Sequence, residues 1–121
     1  LRLLKMLNRF EGVEHFYLAS GYTDMRSGVN SLVQKITAEL NLDPLSKSAF
    51  LFCGRRCDRI KVLIWEGDGF LLMYKHFLDG KLQWPRDSQE ARELTTQQLT
   101  WLLEGLKIEQ KKVIRMTSPI L

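Results

Sequence analysis

The sequence predicts an α+β domain, an antiparallel meander of about four to five strands packed against two main α-helices. Three observations carry that expectation. Val29, Leu32, Val33, Ile36 and Leu40 recur at the spacing of one helical face. Apolar runs between residues 49 and 84 are separated by Gly-containing turns, including Glu66-Gly67-Asp68-Gly69 and Asp79-Gly80. A second apolar stripe, Leu99, Leu102, Leu103 and Leu106, follows Thr95-x-x-Gln98, which has the form of a capping box.

The elements are expected in this order. Residues 14–19 form a strand rich in Phe16, Tyr17 and Leu18, ended by Ser20-Gly21. A helix covers about 25–40, with Thr23 or Asp24 as N-cap, because a side-chain oxygen there accepts a free backbone N–H. Strands follow at 49–53, 59–65, 70–77 and 81–84. In the second of these, Ile60, Val62 and Ile64 alternate with Lys61, Leu63 and Trp65. Pro85 closes the sheet, since it cannot continue a central strand. Residues 86–93 read as a polar linker to the second helix, and both helices are expected on one face of the sheet. Residues 3–10 are a candidate for a further short helix.

A chain of 121 residues suits a single domain with one core. That core is expected over about 14–107, with 1–12 and 108–121 peripheral. No apolar run approaches the roughly 18 residues that a membrane span requires. The opening stretch LRLLKMLNRFEGVEHF carries charges throughout and lacks a small-residue cleavage site, so it does not read as a signal peptide. Cys53 and Cys57 are too few for a disulfide scaffold, and a cytoplasmic setting is the simpler expectation. Their C-x3-C spacing differs from the usual C-x2-C of metal and redox motifs, and the only further soft ligands are His15 and His76. Neither a metal nor a cofactor is expected.

The net charge of +4 is unevenly placed. Residues 41–86 hold eight basic and five acidic side chains, whereas 1–40 hold five and four and 87–121 hold five and five. The peak is Arg55, Arg56, Arg59 and Lys61. Arg55 and Arg56 fall in a turn, Arg59 and Lys61 share one strand face, and Lys75 on the next strand is expected to join it, with Lys81 and Arg86 nearby and Trp65 and Tyr74 as aromatic surface. Basic side chains beside aromatics suit phosphate contact with base stacking. A solvated sheet edge guarded by charge accounts for the same pattern, and the residues alone leave both readings open.

Catalysis finds less support. Asp24 has a capping role, Asp58 a role in satisfying its turn or holding neighbouring arginines, and Asp68 and Asp79 sit in Gly-containing turns. A metal-dependent nuclease needs two or three carboxylates on one point, and no spacing selects such a set. No phosphate-binding Gly-rich loop is present.

Three blocks carry a resemblance: YLASGYTDMRSGVNSL at residues 17–32, GRRCDRIKVLIWEGDGFLLMYK at 54–75 and GKLQWP at 80–85. In order and spacing they resemble the TnpB, or Orf2-like, accessory-protein family of insertion sequence 66, a group of bacterial transposable elements. The resemblance covers about residues 14–107. It implies a non-catalytic role in transposition, beside a separate transposase that carries the strand-transfer chemistry. The matching positions are Asp24, Met25 and Arg26; Gly54, Arg55, Arg56, Asp58, Arg59, Lys61, Trp65, Gly69, Phe70, Tyr74 and Lys75; and Gly80, Trp84 and Pro85. His76 stands where a second basic residue is typical. The resulting expectation is an accessory factor that contacts element-end DNA through Arg26, Arg55, Arg56, Arg59, Lys61 and Lys75. The alternatives are an adaptor that docks this patch on the transposase and, less favoured, a nuclease.

Overall fold

A computed structural model describes residues 10–86 and 90–110. Five strands form one sheet: β1 (His15–Ala19), β2 (Ser48–Cys53), β3 (Arg59–Trp65), β4 (Phe70–His76) and β5 (Ala91–Leu94). Their order across the sheet is β4-β3-β2-β1-β5. Neighbours run antiparallel except β1 and β2, which are parallel. A parallel pair needs a crossover, and the segment supplying it contains α1 (Val29–Gln34), prolonged by a π-helical stretch (Lys35–Glu39). The second helix is α2 (Thr96–Leu103).

The two helices cover opposite faces of the sheet rather than sharing one. Successive strand residues point to opposite sides, and the core divides accordingly. Leu32 and Ile36 of the first helical segment pack with Phe50, Phe52 and Leu63. Leu99 and Leu102 of α2 pack with Leu18, Leu51, Val62 and Ile64. All six residues of β2 are buried, because this strand lies mid-sheet with both faces covered. Each large side chain there contributes roughly 1.5–3 kcal/mol by leaving water. Phe10 and Ile108 are also buried in the α2-side cluster, so the core reaches beyond 14–107 at both ends. The expected helix over 3–10 otherwise lies outside the described residues.

Three further differences from the sequence expectation have local causes. The first helix begins at Val29, after Gly28 as N-cap, and not near Met25. Asp24 does not cap it: its Oδ1 accepts the Arg26 backbone N–H at 2.9 Å, and Ser27 N–H donates to Asp24 O at 3.0 Å, which closes a turn. Residues 81–84 are not a strand. Leu82 and Trp84 are buried and alternate with exposed Lys81 and Gln83, which mimics strand periodicity. Their polar groups tie instead to loops and β1: Leu82 N–H donates to Cys57 O at 2.7 Å, and Trp84 Nε1–H donates to Ala19 O at 2.9 Å. The fifth strand lies within the expected linker. On β5 Arg92 pairs with Glu109, Glu93 pairs with His15, and only Leu94 is buried, so four residues show no apolar alternation.

The capping box is present as expected. Thr95 Oγ1 accepts from Gln98 N–H at 3.1 Å, and Gln98 Oε1 accepts from Thr95 N–H at 3.0 Å.

Candidate functional site

The basic turn between β2 and β3 is fixed on several sides. Cys57 N–H donates to Gly54 O at 3.0 Å, which makes Arg55 and Arg56 the two central residues of a tight turn. Cys57 itself takes a positive φ of 60°. Its carbonyl accepts from Leu82 N–H, and the Asp58 carbonyl accepts from Phe77 N–H at 2.7 Å. The backbone is thus held by β4's end and by the 80–85 strap, while Arg55 and Arg56 remain exposed.

The loop after β1 lies against this turn. Thr23 N–H donates to Cys53 O at 2.9 Å. Met25 packs directly over Gly54; a Cβ on Gly54 would sit 2.7 Å from Met25 Cγ. Between the two loops is a cleft of about 470 Å³. One wall is residues 22–26, the other residues 54–56 with Asp58 and Arg59. The first two sequence blocks, far apart in the chain, therefore meet here.

Charge in the cleft is strongly biased. Four arginines face two aspartates. Arg26 binds Asp24 through Nε and Nη2, the latter at 2.7 Å. These bonds, with the Arg26 backbone N–H, hold the Asp24 carboxyl down at about 2. The Arg26 guanidinium is raised in turn by its hydrogen bonds to Asp24. Asp58 Oδ2 lies 3.4 Å from His76 Nε2. Among the described residues, Arg55, Arg56 and Arg59 form no ion pair.

Tyr22 gives the cleft an aromatic border. Arg55 Cζ lies 5.8 Å and Arg86 Cζ 4.8 Å from its ring centroid, within the range of cation–π attraction. Arg86 Nη2 also donates to Cys57 Sγ at 3.0 Å. Both cysteines are free and buried, and burial pushes the Cys53 thiol up.

Of the six basic residues expected to act together, Arg26, Arg55, Arg56 and Arg59 line the cleft. Lys61 shares the Arg59 face, but its Nζ donates to Ser27 O at 2.8 Å and lies over the Tyr74 ring at 5.7 Å. It is half-buried and ties β3 to the loop before α1. Lys75 is opposite Ile60 in register, so it points to the other face of the sheet, beside the Phe77 ring at 5.2 Å. Trp65 is at the far end of β3, roughly 20 Å from Arg59 at strand spacing, and packs on Phe70 with centroids 4.9 Å apart. Arg86, expected near the basic patch, borders the site at Tyr22 and Cys57. Tyr22 and Thr23 join it without a contact role in the sequence, and adjacency to Asp24 in the first motif block is their only signal.

Among the described residues, no group of three or more His, Cys, Asp or Glu side chains converges as a metal site. No described helix is long and apolar enough to cross a membrane.

Comparison with known proteins gives the site a family context. The chain is 36% identical over 90 residues to the uncharacterized protein y4hO of Sinorhizobium fredii, covering 74% of this chain and 78% of that one. It is 31% identical over 104 residues to the uncharacterized protein y4jC of the same organism, covering 84% and 89%. No solved structure matches. The family model described as IS66 Orf2 like protein matches residues 14–113, which takes in both loops of the cleft and the strap that holds them. The chain belongs to the IS66 Orf2-like family of transposition-associated accessory proteins.

Proposed function

We propose that the protein is a non-catalytic accessory factor that contacts the DNA of its own element through the arginine cleft. Arg55 and Arg56 are the foremost phosphate contacts, with Arg59 and Arg26 beside them. The supporting observation is a pinned turn that presents arginines with no carboxylate partner among the described residues. Guanidinium forks held on a rigid backbone match phosphate geometry and lose little freedom on binding. The separate transposase of the element is the protein partner of this reading, and the cytoplasm is its compartment.

The test is a mobility shift of element-end duplex with the purified chain, with and without the transposase. Binding by the chain alone, weakened by Arg55→Ala/Arg56→Ala, is the expected result. If naked DNA is not bound while the transposase is still retained through the same arginines, the patch is a protein-docking surface instead.

A further inference from the structure

The two edges of the sheet are built differently. β5 is four residues long, and its Arg92 and Glu93 are engaged by Glu109 and His15. A short, charged edge of that kind resists further pairing. β4, the other edge, is seven residues long and carries no charge from Phe70 to Tyr74. Phe70, Leu71, Leu72 and Met73 each keep part of their surface in contact with solvent, and Tyr74 is half exposed. The strand contains no proline and pairs with β3 residue for residue, without a bulge.

The hydrogen bonds tell which backbone groups of β4 are unused. Glu66 N–H donates to Gly69 O at 2.8 Å, and Phe77 N–H donates to Asp58 O at 2.7 Å. Both pairs continue the β3–β4 register. Bonded pairs alternate along an antiparallel ladder, so Leu71, Met73 and Lys75 bond inward to β3. The N–H and C=O groups of Phe70, Leu72, Tyr74 and His76 point outward, and no described backbone group meets them.

We infer that this edge pairs with β4 of a second copy of the chain, antiparallel about a twofold axis at Leu72, so that one sheet runs through both copies. The inference is independent of the DNA-contacting reading. A twofold contact requires a surface that complements itself, and β4 does. With the axis at Leu72, Phe70 faces Tyr74 of the second copy and Leu72 faces its counterpart, on the face that packs against α1. On the α2 face, Leu71 comes opposite Met73. The outward backbone groups belong to Phe70, Leu72 and Tyr74, so the new bonds form within these same pairs. The register also lays the acidic turn Glu66-Gly67-Asp68-Gly69 along the basic end of the other strand: Asp68 meets His76, and Lys75 faces Gly69, where it has room. Moving the axis to Met73 would set Leu71 against Lys75 and Phe70 against His76, losing the apolar pairs. Arg59 lies across from His76 on β3, so the two arginine turns come to opposite ends of the joined strands.

The test is sedimentation velocity of the purified full chain from about 1 to 100 μM, with mass read against the 14.1 kDa of one chain. A concentration-dependent shift to twice that mass is expected. Tyr74→Pro removes an N–H that β3 does not use, so it blocks edge pairing and leaves the internal ladder intact. Asp68→Lys changes an exposed turn residue and brings like charge to Lys75 and His76 of the second copy. Each should weaken dimerisation roughly tenfold or more, with circular dichroism melting to confirm that the variant folds. If Tyr74→Pro fails to fold, Asp68→Lys decides alone. A native chain that stays monomeric throughout overturns the inference; transposase capture that is lost in Tyr74→Pro would then assign the edge to that partner. A dimer unchanged in every folded variant also overturns it.

Discussion

Gly54 lies directly under Met25, so close that a Cβ on the glycine would meet the methionine Cγ at 2.7 Å. This contact joins the loop after β1 to the arginine turn and sets the floor of the cleft. Gly54 does not take a positive φ. Its lack of a side chain therefore serves the close approach and not the turn.

Gly54→Ala should consequently destabilise the fold by about 1–3 kcal/mol, the usual cost of overpacking a tight contact. Met25→Ala in the same chain should recover part of that loss, because it removes the clashing atom. Urea unfolding of the two single variants and the double variant measures the coupling. Additive losses would contradict the contact.

The Asp24–Arg26 pair predicts a titration. The folded pKa of Asp24 lies at about 2, below its ordinary 3.8. A depressed carboxylate contributes stability above its unfolded pKa and loses it as pH falls through the folded value. The contribution should fade as pH drops from near 3.8 toward 2. Carbon-detected NMR should place the Asp24 midpoint near 2 in the native chain and return it upward in Arg26→Ala. The pair is exposed, so its effect on overall stability should be small.

The lysines should separate from the arginines. Lys61→Met removes the bond to Ser27 O and should cost on the order of 1 kcal/mol, read by thermal melting. Lys75→Ala lies on the opposite sheet face and should leave DNA affinity close to native. Equal losses of affinity for Lys75→Ala and Arg55→Ala would mean that charge, and not the cleft, governs binding.

The strap 80–85 should behave as structure. Trp84→Phe keeps most of the ring but leaves the Ala19 carbonyl without its indole donor. A loss of about 1–3 kcal/mol is expected for an unpaired buried acceptor, measured by denaturant unfolding.

Much of the fold was legible because its elements have strong periodic or capping signals. Arg59–Trp65 was bounded correctly by alternation, and Thr95 with Gln98 marked the start of α2 through reciprocal caps. The misses were places where tertiary contacts overrode local pattern. Lys81 to Trp84 alternates like a strand, yet it is held by Cys57 and Ala19. Ala91–Leu94 is a strand only because β1 offers an edge to pair with. At the site, the sequence pointed to the arginine turn and, on the opposing wall, to Arg26, but not to Tyr22 or Thr23. Thr23 and Tyr22 enter by a contact across 30 residues, Thr23 N–H to Cys53 O, for which no local pattern exists. Register decided Lys75: one position along β4 sends its side chain to the other face.

The central claim is that Arg55 and Arg56 contact DNA phosphates from the pinned turn. The most direct measurement is the salt dependence of affinity for element-end duplex, compared between the native chain and Arg55→Ala/Arg56→Ala. Each lost phosphate contact should reduce the log–log slope by about 0.9, so the double variant should be shallower by about 1.8. An unchanged slope, or no DNA binding by the native chain at low salt, would contradict the account.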